Sequence, residues 1–170
     1  MISLILGGSG SGKSEFAENL FKEWKGEKYY VATMKVNTLS GAKRIKRHED
    51  LREGKGFLTI ECTKDFDKLP LGKYVLLEDM GNFCANWLFS EEKERAEENI
   101  KYELTEMFEK SKIVVIVSND VFSDGNDYDG DTLKYIELLG KINSWITDKA
   151  DKVIEVVYSI PIYHKGEENV

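Results

Sequence analysis

The sequence predicts an α/β fold in which a mostly parallel central sheet carries helices on both faces. Three patterns point there. Short runs rich in β-branched and aliphatic residues recur along the chain, several of them apolar without interruption, as expected of strands covered on both sides. Segments with helical spacing lie between these runs, the alternation that right-handed crossovers between parallel strands produce. The first run breaks into the glycine-rich stretch 7-GGSGSGKS-14, which opens a helix.

The strands expected are 2-ISLIL-6, 28-KYYVAT-33, 57-FLTIEC-62, 74-YVLLE-78, 113-IVVIVS-118 and 152-KVIEVVY-158. The first helix is expected over 14–24, where Phe16, Leu20 and Trp24 share one face at four-residue steps. Further helices are expected at about 40–53, 81–89, 91–110 and 131–149. The last of these has Asp131 as its expected N-cap and Leu138, Ile142 and Trp145 facing inward. Trp87 and Phe89 are read as core, Pro70 as a turn residue, and Pro161 as falling after the last long strand. There is no internal repeat or low-complexity linker, so residues 1–170 are expected to form a single domain.

Composition narrows the function classes. With 24 Lys and Arg against 31 Asp and Glu, the formal charge is −7, which argues against broad attraction to nucleic acid or anionic membrane. Apolar runs such as 113-IVVIV-117 are too short to span a bilayer, and the opening stretch has no basic leader, so a cytoplasmic location is expected. Two cysteines, Cys62 and Cys84, sit in apolar surroundings and are expected to be buried free thiols.

The glycines after the first strand have a chemical reading. Gly7, Gly8, Ser9, Gly10, Ser11, Gly12, Lys13 and Ser14 match the phosphate-binding loop pattern, in which main-chain N–H groups surround a phosphate at the start of a helix. In that pattern Lys13 reaches the β- and γ-phosphates and the Ser14 hydroxyl ligates Mg²⁺ brought with GTP or ATP. The expected fold is therefore that of a P-loop NTPase of the RecA-like kind. A metal-side carboxylate is expected at the end of the fourth strand, where Glu78 and Asp79 adjoin, with Glu78 favoured.

A second constellation lies in 40-SGAKRIKRHEDLRE-53, where helical spacing sets Arg44, His48 and Arg52 on one stripe with Arg47 beside them. Neutral imidazole is a nucleophile toward phosphorus, and neighbouring arginines stabilise charge on the attacked phosphate. Spacing alone favours a solvated basic helix face with an incidental histidine. His164 is read as a surface residue. The acidic run Asp124, Asp127, Asp129, Asp131 fails the calcium-loop pattern, which needs glycine at Thr132 and glutamate at Leu138.

The whole chain resembles the bifunctional adenosylcobinamide kinase/adenosylcobinamide-phosphate guanylyltransferases of cobalamin biosynthesis. The similarity is carried, in order, by 7-GGSGSGKS-14, 29-YYVAT-33, 44-RIKRHEDLR-52, Thr59-Ile60-Glu61, 76-LLE-78, 116-IVSND-120, 140-GKINSWI-146 and Ser159-Ile160-Pro161. The resemblance implies phosphorylation of the aminopropanol hydroxyl of a corrinoid and transfer of GMP from GTP through a GMP-histidine intermediate. It places His48 as the nucleophile; Ala32, Thr33, Met34, Glu49, Asp50, Leu51 and Arg52 on nucleotide contacts; and Glu61 and Glu78 on nucleotide or metal contacts. It also implies a homotrimer. Three stretches depart from the family pattern: 37-NTLSGAK-43, the region of Phe57, and 119-NDVFSDGNDYDGD-131 in place of a glycine-spaced loop with proline. The alternatives are a P-loop small-molecule kinase without guanylyl transfer, or a non-catalytic nucleotide-binding regulator.

Overall fold

The computed structural model describes residues 1–34, 54–66, 69, 74–121 and 128–167. Among these, the strands are β1 (Ile2–Leu6), β2 (Lys28–Ala32), β3 (Phe57–Glu61), β4 (Tyr74–Glu78), β5 (Ile113–Val117), β6 (Lys152–Val157) and β7 (Ile160–Lys165). The helices are α1 (Lys13–Asn19), α2 (Met80–Leu88), α3 (Ala96–Lys110) and α4 (Gly130–Lys149), with a 3₁₀ turn at Lys93–Arg95. The expected helix over 40–53 and Pro70 lie outside the described residues.

The strands form one sheet in the order β3-β2-β4-β5-β1-β6-β7. Every pairing is parallel except β6 with β7, which is antiparallel. The apolar runs follow from this arrangement, because alternate residues of one strand enter different cores. Leu4, Val31, Val75, Leu77, Val114 and Ile116 pack under α2, α3 and α4. Ile5, Tyr30, Leu76, Val115 and Val117 pack on the other face with Ala17 and Phe21. A strand buried on both faces has no place for the polar alternation of a surface strand.

Several local expectations are corrected. α1 stops at Asn19, and Phe16, Leu20 and Trp24 pack as partly buried side chains against the core from the helix and the turns after it. Asp129, not Asp131, caps α4: its carboxylate accepts the Thr132 N–H at 2.8 Å, two residues earlier than the apolar spacing suggested. Trp87 is buried but Phe89, the C-cap of α2, is 64% exposed, because the helix ends before its periodicity does. Neither cysteine is in a disulfide; Cys84 is buried and Cys62 only half-buried. Pro161 does not follow the sheet but lies within β7, an edge strand whose outer side needs no ladder donor.

Candidate active site

β1 lies between β5 and β6, so the chain leaves it toward β2, β3 and β4 on one side and returns past it to β6 on the other. In open α/β sheets the crevice at such a reversal, outside the carboxyl ends of the strands, is where ligands bind. The loop 7–12 emerges there. Gly7 must be glycine, since a β-carbon would fall 2.5 Å from Ser11 Oγ and 2.7 Å from the Val156 carbonyl. Gly12, the N-cap of α1, has φ +90, a left-handed value that side chains resist. The Asp120 N–H donates to the Gly7 carbonyl at 3.1 Å, which fixes the start of the loop to the segment after β5.

Lys13 is buried, and its ammonium group donates to the Gly8 carbonyl at 3.0 Å, folded over its own loop. The Ser14 hydroxyl donates to Glu78 Oε1 at 2.6 Å, and the Tyr30 hydroxyl donates to Glu78 Oε2 at 2.8 Å. A contact between residues 64 positions apart thus joins the start of α1 to the end of β4. Hydroxyl and carboxylate oxygens are the hard donors that Mg²⁺ prefers, and Mg²⁺ usually takes only one or two of them from protein, filling its other positions with phosphate and water. The pair fits that group. Among the described residues no cluster of three or more His, Cys, Asp or Glu could hold a metal by itself.

Asp79 is used differently. Its carboxylate accepts from the Asn82 N–H at 2.6 Å and the Asn82 side-chain amide at 3.0 Å, capping α2. Of the adjoining carboxylates, Glu78 is therefore the one that meets Ser14.

Those of the other sequence-derived positions that are described fall along one edge. Ala32 pairs with Glu61 on one side and Glu78 on the other, so these residues share a register row at the carboxyl end of β3, β2 and β4. Glu61 is exposed, and Ala32 and Met34 are half-buried. Thr33 is fully buried: its hydroxyl donates to the Asp79 carbonyl at 2.8 Å and its oxygen accepts the Asp79 N–H at 3.0 Å. Its described role is to lock the end of β4. His48, Glu49, Asp50, Leu51, Arg52, Arg44 and Arg47 lie outside the described residues. His164 is on the surface, as expected, with Nε2 2.9 Å from Glu155.

Sequence reasoning passed over two supporting residues. Tyr30 positions Glu78, and strand alternation already set its side chain on the α1 face. Asn86 is buried and donates to the carbonyls of Thr33 at 2.8 Å and Thr63 at 3.1 Å, tying the ends of β2 and β3 to α2. An asparagine among apolar helix residues was the available signal.

Strand order and loop position together make this a P-loop protein with a RecA-like sheet. The fold comparison agrees: a KaiC-like protein from the hyperthermophilic archaeon Pyrococcus horikoshii aligns with a TM-score of 0.53, covering 99% of this chain and 80% of its own, at 13% identity. That likeness concerns the fold alone. The sequence goes further, because the model of the cobinamide kinase / cobinamide phosphate guanyltransferase family matches residues 3–163, and the chain belongs to that family. It is thereby a transferase of cobalamin biosynthesis, as the resemblance implied. The bifunctional adenosylcobalamin biosynthesis protein CobP of Pseudomonas aeruginosa is 24% identical over 172 residues, which cover 98% of this chain and 99% of CobP. Among the described residues no helix is long and apolar enough to cross a membrane.

Proposed function

We propose that this chain carries out both family reactions on one nucleotide-binding catalytic domain spanning 1–170. It would phosphorylate the aminopropanol hydroxyl of adenosylcobinamide, then transfer GMP from GTP to that phosphate. The observation that carries the reading is the contact between Ser14 and Glu78 beside the glycine loop, within a chain that matches the family along nearly its whole length.

The loop amides of residues 8–12 bind the phosphates and hold them in line, and the Lys13 ammonium places positive charge where the transferred group becomes more anionic. Ser14 and Glu78 would hold Mg²⁺, which would supply charge neutralisation for the phosphates. Ala32, Thr33, Met34, Glu49, Asp50, Leu51, Arg52 and Glu61 are proposed to line the nucleotide site, with Thr33 contributing through the backbone it fixes. In guanylyl transfer, a His48 nitrogen lone pair forms a bond to the α-phosphorus of GTP as the bond to the bridging oxygen breaks and pyrophosphate leaves. A phosphate oxygen of the corrinoid then displaces the imidazole, which leaves with its electron pair. The arrangement proposed in solution is a cytoplasmic homotrimer.

Incubation with GTP labelled at the α-phosphate is the direct test. Acid-labile label on the wild type and none on His48→Ala is the expected result. If the wild type binds GTP yet stays unlabelled, guanylyl transfer through His48 is wrong. Transfer of γ-phosphate to cobinamide that survives His48→Ala then marks a kinase alone.

A further inference from the structure

We propose that the cavity between α4 and the carboxyl end of β1 receives a side-chain carboxamide of the cobinamide acceptor, on the far side of the phosphate loop from the nucleotide. This rests on the reading of the chain as a cobinamide kinase that holds its triphosphate in loop 7–14. The cavity has a volume of about 520 Å³, and its walls include Leu6 at the end of β1, Asp120 after β5, Glu155 on β6, and Asn143, Ser144 and Asp148 on α4. Asn143 is only 7% exposed. Its Oδ1 accepts the Ser118 hydroxyl at 2.8 Å, which orients the amide, yet its Nδ2 has no hydrogen-bond partner. Buried polar groups are ordinarily paired, so an amide donor kept unmet in a cavity wall marks the place of a missing acceptor.

The remaining groups say what kind of molecule brings that acceptor. Asp120, Asp148 and Glu155 set three carboxylate-bearing residues around the same space. They repel an anion, and a simple ammonium ion offers nothing to the Asn143 donor. A primary carboxamide presents an accepting oxygen and two N–H donors on one planar group, which answers the amide and the carboxylates together. Cobinamide carries such carboxamides around its macrocycle. The direction of attack agrees. In phosphoryl transfer the attacking and leaving oxygens lie roughly in line across the transferred phosphorus. The nucleotide contacts assigned to Ala32, Thr33, Glu61 and Glu78 lie at the ends of β2, β3 and β4, so the acceptor approaches from the side of β1 and β6, where the cavity lies. The cavity is also tied to the loop. The Asp120 N–H donates to the Gly7 carbonyl at 3.1 Å, and beyond Glu155 the β6–β7 hairpin donates its Ser159 N–H to the Ser11 carbonyl at 2.7 Å. Two walls of the cavity therefore brace the loop that grips the phosphates.

The test is calorimetry on the full chain and two variants, with cobinamide titrated into protein saturated with a non-hydrolysable GTP analogue and Mg²⁺, and with the analogue itself as the control titration. Asn143→Asp keeps an oxygen for Ser118 but exchanges the donor for an acceptor, and should bind cobinamide about 10-fold more weakly. Ser144→Trp adds bulk at an exposed helix position in the cavity wall, where it spares the core, and should weaken cobinamide by at least as much. Affinity for the nucleotide analogue should be unchanged in both. A corrinoid whose side-chain amides are hydrolysed to carboxylates should bind the wild type more weakly than cobinamide does. Undiminished cobinamide affinity in either variant overturns the proposal and leaves the kinase reading standing. So does a matching loss of nucleotide affinity, which would mean that the substitutions only disturb the loop, and so does equal binding of the hydrolysed corrinoid. A wild type that binds the nucleotide but no cobinamide overturns the kinase reading and this proposal together.

Discussion

Glu78 and Asp79 are neighbours in the chain yet act in different places: one carboxylate receives the hydroxyls of Ser14 and Tyr30, the other receives the main-chain and side-chain amides of Asn82 in the first turn of α2. Charge-neutral substitutions should separate them. Glu78→Gln keeps the shape but loses the anion that Mg²⁺ needs, so Mg²⁺ dependence of turnover should shift to concentrations about 10–100-fold higher. Asp79→Asn should leave that dependence in place and lower stability by at most about 1 kcal/mol, since asparagine also caps helices. Titration of activity with Mg²⁺ and chemical denaturation check the pair. A shift of Mg²⁺ dependence in Asp79→Asn and not in Glu78→Gln would reverse the assignment. The sequence singled out both residues from their position at a strand end, and it favoured Glu78. It did not show the division of labour, because which carboxylate points at the loop depends on where α2 begins.

At the level of elements, periodicity located strands and helices better than their ends. α4 illustrates why: the apolar stripe over Leu138, Ile142 and Ile146 defines the helix, but its start is set by Asp129, a polar residue outside the stripe. Asp129→Ala should cost about 1 kcal/mol of stability. Urea unfolding of that variant, beside Asp131→Ala as the control expected to be near neutral, checks the cap. Equal losses in the two variants would mean that general acidity near the helix start, and not capping, is what matters. The carboxyl group of Asp129 is also held below its usual range, chiefly by its hydrogen bonds to Thr132, as a capping carboxylate should be. β7 was hidden for a different reason. Its residues alternate between exposed and half-buried, and Pro161 reads as a strand breaker, yet an edge strand tolerates proline where no partner needs the N–H.

For the molecule as a whole, the parallel architecture was legible because strands buried on both faces leave continuous apolar runs. The loop was legible because its glycines, lysine and serine occupy fixed spacings. What could not be read were contacts made only by the assembled sheet, such as Tyr30 on Glu78 and Asn86 across the ends of β2 and β3. Another such contact contributes to how stability changes at high pH. Tyr135 on α4 lies under the carboxyl edge, where a β-carbon on Gly81 would meet its hydroxyl at 2.6 Å. Burial first, and then the Asp79 carboxylate, push its phenol up to about 12. Burial likewise raises the Cys84 thiol. The unfolded chain releases the tyrosine proton near its ordinary value of about 10, whereas the folded chain keeps it longer. The stability this provides is complete below about pH 10 and is lost as pH climbs toward 12, so Tyr135→Phe should flatten that part of the curve. Urea midpoints measured from pH 9 upward check it, and parallel curves for the two proteins would refute it.

The hydrogen bond from Ser159 to Ser11 bridges residues 148 positions apart, and β1 itself is flanked by strands made late in synthesis. A ribosome must therefore have moved beyond residue 159 before the glycine turn acquires its final brace. A nascent chain halted at residue 150 would already hold every residue of that turn while lacking the hairpin that steadies it. Affinity for triphosphate should then appear abruptly with translation of the hairpin, making ligand capture a reporter of finished folding.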